Sequence, residues 1–235
     1  MKNIITLDKR LELAVSFVTG SVCADIGTDH AYIPIYLLQS GKCRYAIASD
    51  INEGPLKNAE INAKKHNVYD KIFFALTDGL EGLPLEDKQV SDIVICGMGG
   101  ELIAEIIDAS TYTKNKDVNL ILQPMSSVEE LRTYLYENGY IITDEGITMA
   151  QGKLYQCISC RYGGEKEKYS PAQLMLGKIN IKKGEENPYF KPLVEKLIMQ
   201  TQKKIDGKIR GGVDHTSESA LLSELCKIIG DKNDN

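Results

Sequence analysis

The segment from Ser21 to Tyr32, SVCADIGTDHAY, constrains the fold of this chain more than any other stretch. Residues 21–26 are an apolar run typical of a short buried strand, Gly27 provides a turn, and an apolar stretch of helical character follows. A strand, a tight turn and a helix in this order open the nucleotide-binding domains of α/β proteins. The sequence therefore predicts such a domain, with its ligand at the end of the first strand.

The charge inside this turn indicates the kind of ligand. A loop that holds a pyrophosphate needs glycines, so that backbone N–H groups can approach the anion. Here Asp29 and a glycine-free HAY occupy the positions of the second and third glycines. A carboxylate in contact with a diphosphate is repelled by about 1–4 kcal/mol. The loop therefore favours a cationic nucleoside such as S-adenosylmethionine, and it disfavours a nicotinamide-dependent dehydrogenase.

Composition sets the scale of the fold and excludes several classes of protein. The chain has 235 residues, of which 43% are hydrophobic, enough for one α/β domain and a smaller appendage. Its charged start, MKNIITLDKRLELAV, and the lack of an 18-residue apolar run predict no membrane segment and a cytoplasmic location. Cys157 and Cys160 form a C-x-x-C on a predicted strand, where they point to opposite faces, so we expect no metal site there.

Apolar strand-like runs alternate with helical stretches along most of the chain. The predicted strands are 21–26, 45–50, 72–77, 91–96, 118–123, 140–149 and 154–161. The predicted helices are 7–18, 31–39, 53–66, 100–109 and 127–137, and S-x-x-E at 126–130 predicts a capping box for the last. The alternation indicates an α/β fold with a parallel, doubly wound sheet and a terminal antiparallel hairpin. This order matches the seven-stranded, Rossmann-like sheet of class I methyltransferases.

A change of composition at RYGGEKEKYSP divides the chain into a first domain, 1–164, and a C-terminal domain, 165–235. The second carries two apolar stripes of helical spacing, from Phe190 to Ile209 and from Leu221 to Ile229. They predict an antiparallel, coiled-coil-like helical hairpin. The whole chain has a net charge of −5, but this domain has 13 Lys and Arg against 11 Asp and Glu. Its lysine-rich side is either a surface that follows phosphates or a solvated helix face.

Acidic residues follow each of the first three predicted strands. In a doubly wound sheet the ligand lies beyond the carboxyl ends of the strands. Asp50 is then placed to accept both ribose hydroxyls, and Asp78 to accept from an adenine amino group. Asp25 and Asp29 would face a cationic methionine moiety. Each of these acids alone is equally well explained as a helix cap. The prediction of a ligand site therefore rests on all of them together. Gln123, after the fifth strand, is a pocket wall or a strand terminator.

The glycine-rich ICGMGGELI after the fourth strand is expected to face the substrate. Its glycines allow a flat ligand to approach the backbone, although a plain strand-to-helix turn would also use them. Arg10 lies on a helix that could close over the pocket, with a surface ion pair as the alternative. His30 beside Asp29 is a candidate acid–base pair or a packed residue at a helix start. Tyr32 and Met98 are candidates for a platform under the target base.

Five segments resemble the bacterial tRNA (adenine-N1)-methyltransferase family, which modifies adenine 22. They are ADIGTDHAYIPIYL, ASDINEGPLKNAEIN, LTDGL, ICGMGGELI and LQPM, within a resemblance that runs from about Leu7 to about Arg161. The resemblance implies an S-adenosylmethionine cofactor and a C-terminal appendage that helps to hold tRNA. The cofactor-binding residues that it implies are Asp25, Gly27, Asp29, Asp50 and Asp78. The expected cofactor-binding set also includes Thr28, His30, Ile51, Gly79, Leu80 and Gly97. The expected substrate-binding residues are Arg10, Tyr32, Met98, Gly99, Gly100, Lys183, Lys203 and Lys204.

The expected chemistry needs no strong base, because adenine N1 has an in-plane lone pair that is unprotonated near neutral pH. Catalysis would come from positioning in an acidic, desolvated pocket, and Asp29 is the candidate catalytic residue. We expect a monomer with tRNA as its partner and without a metal. Two alternatives stay open: a methyltransferase for another RNA site or a small molecule, and a non-catalytic, cofactor-sensing RNA-binding protein.

Overall fold

The computed structural model describes residues 4–230. Contacts along the chain separate two compact units, with the division between Glu167 and Lys168. The sequence pattern predicts this division after residue 164, and the ends of the predicted domains, 1–3 and 231–235, lie outside the described residues. Within the described range, no helix has the length and apolar character needed to cross a membrane.

A seven-stranded sheet forms the centre of the first unit. Its strands are β1 (Val22–Ile26), β2 (Tyr45–Asp50), β3 (Ile72–Leu76), β4 (Asp92–Gly99), β5 (Asn119–Ser126), β6 (Tyr140–Ala150) and β7 (Lys153–Tyr162). They lie in the order β3-β2-β1-β4-β5-β7-β6. Strands β1 to β5 pair in parallel, while β7 pairs antiparallel with both β5 and β6. This confirms the predicted fold class.

Helices cover both faces of the sheet. They are α1 (Lys9–Ser16), α2 (Tyr32–Gln39), α3 (Glu53–Lys65), α4 (Gly100–Asp108) and α5 (Val128–Glu137). Buried side chains of α1, α2 and α3 belong to one apolar cluster, and those of α4 and α5 to another. Cys157 and Cys160 fall into different clusters, because residues an odd number apart on a strand point to opposite faces. With both faces covered, the parallel strands are continuous apolar runs.

The predicted capping box at the start of α5 is wrong. Ser127, the N-cap residue, has a left-handed backbone with φ 53°, and its side chain makes no capping hydrogen bond within the described residues. Its carbonyl oxygen lies against Gly100, where a Cβ atom would overlap it. A residue that caps a helix normally has an extended backbone. The left-handed backbone of Ser127, which packs closely against Gly100, therefore does not match the predicted capping box. A capping box does form in the second unit, between Ser170 and Gln173.

A buried ion pair joins α5 to the β6–β7 hairpin. Arg132 and Glu145 are fully buried, with 2.8 Å between Arg132 Nη2 and Glu145 Oε1. The same Nη2 donates to Gln156 Oε1 at 2.8 Å. Buried charges are tolerated only when they are paired and hydrogen-bonded. These contacts therefore fix how α5 packs on the hairpin.

The second unit is helical. Its helices are α6 (Pro171–Leu176), α7 (Lys178–Lys183), α8 (Phe190–Arg210) and α9 (Thr216–Gly230). Helices α8 and α9 pack against each other, which confirms the predicted helical hairpin. The predicted stripe on α8 ends at Ile205, since Ile209 is 57% exposed. Each step of four residues advances about 40° around a helix, so Ile209 has turned away from the buried side.

Candidate active site

A cleft of about 340 Å³ opens where β1 and β4 end. Parallel strands bring their carboxyl ends to one edge of the sheet, and the loops that follow them meet there. The cleft is lined by Asp8, Arg10, Leu11, Asp25, Gly27, Thr28, Asp29, His30, Ala31, Tyr32, Ile33, Cys96 and Gly97. The structure thus brings together the predicted residues of the first turn, the start of the glycine loop and Arg10.

Gly27 provides the turn that the sequence predicts. Its φ is +74°, a conformation that residues with side chains rarely adopt. The backbone N–H groups of Gly27 and Thr28 both donate to the carbonyl oxygen of Ser49 at 2.8 Å, which fixes the turn to the end of β2. A Cβ atom on residue 27 would overlap the terminal methyl group of Met98. The backbone conformation is therefore the main reason that residue 27 is glycine, because the Met98 methyl group ends a flexible side chain that can move.

Asp25 lies at the bottom of the cleft and is 6% exposed. Burial raises the pKa of its carboxyl group to about 6, against a hydrogen bond with Thr28 that lowers it. The carboxylate of Asp50 raises the pKa further. A buried acid with a second acid nearby favours a cationic ligand, since a positive charge would stabilise both carboxylates. This is the electrostatic character that the sequence predicts.

Asp29 and His30 form the outer rim of the cleft. The Asp29 side chain is 70% exposed, and its Oδ2 atom lies 3.3 Å from His30 Nε2. The His30 ring is tilted against that of Tyr32, with 5.1 Å between centroids. Ala31, between them, has a left-handed φ of 51°. Strained backbone of this kind is concentrated at functional sites. The 3.3 Å between Asp29 and His30 is short enough for both side chains to act on one ligand in the cleft.

The residues predicted to hold the nucleoside are less closely gathered. Asp50 ends β2, and its Oδ1 atom accepts the backbone N–H of Asn52 at 2.7 Å. Ile51, beside it, is 60% exposed. The Asp78–Leu80 segment lines a separate cavity of about 560 Å³, which runs along α4 as far as Thr111. Among the described residues, the predicted cofactor site is therefore divided between two cavities, and Asp50 and Ile51 line neither of these two.

The glycine loop has two different parts. Gly97, with φ +84°, faces the cleft, and a Cβ atom there would lie 3.4 Å from Arg10 Nη1. Gly99 and Gly100 instead approach the loop after β5, where Gly100 is buried against the Ser127 carbonyl. The close backbone approach seen at Gly100 is thus to the chain itself, and its contact with a substrate stays a prediction.

Arg10 reaches from the first turn of α1 to a residue within β5. Its Nη1 atom donates to Gln123 Oε1 at 2.7 Å. Its Nη2 atom lies 3.6 Å from Asp8 Oδ2, and the guanidinium is 5.9 Å from the ring centroid of Tyr155. Asp8 was not predicted as a site residue, although its side chain caps α1 by accepting the N–H of Leu11. An acid before a helical pattern is the signal that could have found it.

The three predicted substrate-binding lysines lie in the second unit. Lys183 ends α7 and is partly buried, while Lys203 and Lys204 are exposed on α8. Lys196, Lys203 and Arg210 recur every seven residues and share the face of α8 opposite its buried side chains. This places a line of positive charge along one helix.

The cleft fits S-adenosylmethionine in its chemistry. Gly97 leaves backbone accessible in the cleft, and Asp25 and Asp29 supply negative charge for a sulfonium and an ammonium. Asp50 stands at the end of the neighbouring strand, where a nucleoside would extend. The arrangement can therefore bind a cationic nucleoside next to a positioned Arg10.

Comparisons with known proteins agree with this chemistry. Residues 7–158 match the family model of a methyltransferase domain. The tRNA (adenine(22)-N(1))-methyltransferase of Bacillus subtilis strain 168 is 34% identical over 227 residues, covering 95% of this chain and 94% of that protein. The crystal structure of Streptococcus pneumoniae Sp1610 in complex with S-adenosyl-L-methionine superposes with a TM-score of 0.80 at 32% identity, covering 95% and 99% of the two chains. Mycoplasma capricolum TrmK with S-adenosylhomocysteine gives a TM-score of 0.74 at 25% identity, covering 97% and 99%.

Proposed function

The chain belongs to the tRNA (adenine-N1)-methyltransferase family, and on that premise we propose that it methylates N1 of adenine 22 in tRNA, with S-adenosylmethionine as its cofactor. The observation that carries the proposal is the acidic cleft at the end of β1, where Asp25 and Asp29 flank the Gly27 turn. A cleft of this kind suits a cationic nucleoside and opposes a diphosphate. The relatives described above act on this substrate or bind this cofactor.

The cofactor supplies an electrophilic methyl group on a sulfonium. Asp25 and Asp29 would hold its cationic end, with the Gly27–Thr28 turn and Gly97 beside it. Asp50 would accept the ribose hydroxyls and Asp78 the adenine amino group. His30, Ile51, Gly79 and Leu80 complete the proposed binding set.

The attacking atom is adenine N1, which uses its own lone pair. The methyl–sulfur bond breaks as the N1–methyl bond forms, and the positive charge passes from the sulfonium to the adenine ring. Asp29 would stabilise that charge and accept a proton from the exocyclic amine, because its carboxylate is exposed at the rim and 3.3 Å from His30. Most of the rate enhancement would come from positioning in a water-poor cleft.

The target base has to leave its stack to reach the cleft. Tyr32, which is 41% exposed, and Met98, whose methyl group lies against Gly27, would provide apolar surface near the turn for such a base. Gly99 and Gly100 follow on the same loop. Unstacked bases commonly rest on aromatic or apolar side chains, so these residues form the proposed base platform.

The second unit is the proposed tRNA-binding appendage. Lys203 and Lys204 are exposed on α8, and Lys183 lies at the end of α7. Each lysine that meets a phosphate releases counterions and strengthens binding at low salt. We propose that the enzyme acts as a monomer in the cytoplasm, where tRNA is modified.

A methylation assay tests the proposal. Purified protein, labelled S-adenosylmethionine and an unmodified tRNA transcript with adenine at position 22 should give one N1-methyladenosine at that position, located by mass spectrometry of nuclease fragments. A transcript with guanine in place of adenine 22 should accept no label. Methylation elsewhere would favour another RNA site, and cofactor binding without turnover on any tRNA would favour a non-catalytic sensor.

A further inference from the structure

Among the described residues that line the cleft for a cationic cofactor, Arg10 is the one positive side chain, apart from the titratable His30. Its side chain is 20% exposed and lines the cleft. The sulfonium and ammonium of the cofactor repel a guanidinium, so Arg10 needs an anionic partner, which is either the carboxylate of the cofactor or a phosphate of the RNA. The product adenine is cationic as well, so the base itself is not that partner.

Gln123 holds Arg10 in place. It is fully buried within β5, and its Nε2 atom donates to the carbonyl oxygen of Pro124 at 2.7 Å. That bond assigns the amide nitrogen to Pro124 and turns the amide oxygen toward Arg10, which donates to it at 2.7 Å. The bond spans 113 residues of sequence, from α1 to the opposite half of the sheet. A buried amide with both ends used has little freedom, so the guanidinium is pre-oriented.

Arg10 has capacity left for a ligand. A guanidinium carries five N–H donors, and in the described part of the chain its hydrogen bond to Gln123 uses one of them. Asp8 is 3.6 Å away and itself partly exposed, so it forms a loose ion pair that a stronger anion can replace. Gly97 leaves open the space beside Nη1. A planar fork with free donors matches the oxygens of a phosphodiester.

We propose that Arg10, oriented by Gln123, binds a phosphodiester that flanks the target adenosine. This inference rests on the proposed function and adds to it the chemical group that Arg10 recognises. The contact holds the flipped nucleotide by its backbone, so that the base enters the acidic cleft while the phosphate stays at the Arg10 side. Gln123 acts as a positioning residue.

The experiment is a double-mutant cycle between protein and RNA. Full-length protein and its Arg10→Met variant are compared on three tRNAs: unmodified, and with an uncharged methylphosphonate on the 5′ or the 3′ side of the target adenosine. The dissociation constant is measured with S-adenosylhomocysteine present. On unmodified tRNA, Arg10→Met should weaken binding by about 10-fold, the size of a charge-assisted hydrogen bond. One of the two methylphosphonates should weaken tRNA binding by the wild-type protein by a similar factor. The same methylphosphonate should not change the affinity of Arg10→Met for tRNA.

Three matched variants separate this contact from a general effect of charge or fold. Lys9→Met removes the neighbouring positive charge of α1, from a side chain 69% exposed and paired with Glu12. It should not couple to either methylphosphonate. Arg10→Lys keeps the charge and should recover part of the affinity. Gln123→Met, of similar size, should weaken tRNA binding and show the same coupling in weaker form, with S-adenosylhomocysteine affinity unchanged.

Salt dependence gives an independent readout. The slope of log Kd against log salt concentration should fall by about one for Arg10→Met, as for the loss of one phosphate contact. Independent effects of Arg10→Met and both methylphosphonates would overturn the inference. Loss of S-adenosylhomocysteine binding in Arg10→Met would overturn it too, because Arg10 would then bind the carboxylate of the cofactor. Failure of wild-type protein to methylate adenine 22 would instead overturn the proposed function, because the binding cycle is read without turnover.

Discussion

The terminal methyl group of Met98 lies directly over Gly27, in the space that a side chain on residue 27 would need. The two residues come from the ends of β4 and β1, which pair in the sheet. Their contact joins the proposed cofactor turn to the proposed base platform. A change at Gly27 is therefore expected to disturb both.

Gly27→Ala should weaken cofactor binding, because the φ of +74° disfavours alanine by about 1–2 kcal/mol and the methyl group at the end of the Met98 side chain would have to move. Gly41 is the matched control, with φ +75° and, within the described residues, open space for 4 Å around the place of a Cβ atom. Gly41→Ala should lower stability by a similar backbone cost while S-adenosylhomocysteine affinity is retained. Calorimetric titration and thermal unfolding measure the two effects. Equal cofactor affinity for both variants would contradict the proposed role of this turn.

Asp25 should make folding depend on pH. Its pKa rises from 3.8 to about 6 on burial, so the folded state holds the proton more tightly than the unfolded state. Stability from this group is complete below about pH 4 and is lost as pH rises to about 6, by at most about 3 kcal/mol. Asp25→Asn cannot lose a proton at this position, so its stability should not fall in this way. The free energy of unfolding of Asp25→Asn minus that of wild type should therefore be larger at about pH 7 than at about pH 4.5. Urea unfolding at both pH values tests this, with the exposed Asp117→Asn as control. A pH-independent difference would contradict it.

Asp29→Asn should slow methyl transfer more than it weakens cofactor binding. The side chain is largely exposed, so its loss leaves the fold intact. Removing one positioned electrostatic group typically costs about 100-fold in kcat. Single-turnover rates on tRNA and titration with S-adenosylhomocysteine separate the two quantities. If Asp29→Asn and Asp29→Ala keep full activity, Asp29 has no catalytic role.

The buried Arg132–Glu145 pair should matter far more to stability than an exposed pair of similar length. Arg132→Met removes the charged partner of the buried Glu145, which costs about 3–5 kcal/mol. Lys57 and Glu53 are 2.9 Å apart but 70% and 69% exposed, so Lys57→Met should change stability by less than about 1 kcal/mol. Denaturant unfolding compares them. Similar losses for both variants would show that burial does not set the strength of these pairs.

The sheet was predictable because its parallel strands are covered on both faces and are therefore continuous apolar runs, such as Ala46–Ala48 in β2. The end of β4 was harder to place. Gly97–Gly99 signals a turn by composition, yet Met98 and Gly99 still pair with Pro124 and Ser126 of β5. Strand pairing with a neighbour overrides local propensity here, and a single sequence does not show that neighbour.

The acids of the site were predictable from their positions after strands, since topology gathers the carboxyl ends of parallel strands. The partnership of Arg10 and Gln123 was not, because 113 residues separate two side chains that each have an ordinary local explanation. The cavity at Asp78 likewise depends on where α4 lies, which no local pattern indicates. Long-range packing thus decides which predicted residues meet.

Mapping the methyl group on tRNA after reaction with this protein tests the whole proposal in one step. We expect one methyl group per tRNA, on N1 of adenine 22, and none on the transcript with guanine at that position. A methyl group at another base, at another atom of adenine 22, or on no tRNA at all despite bound S-adenosylmethionine would contradict it.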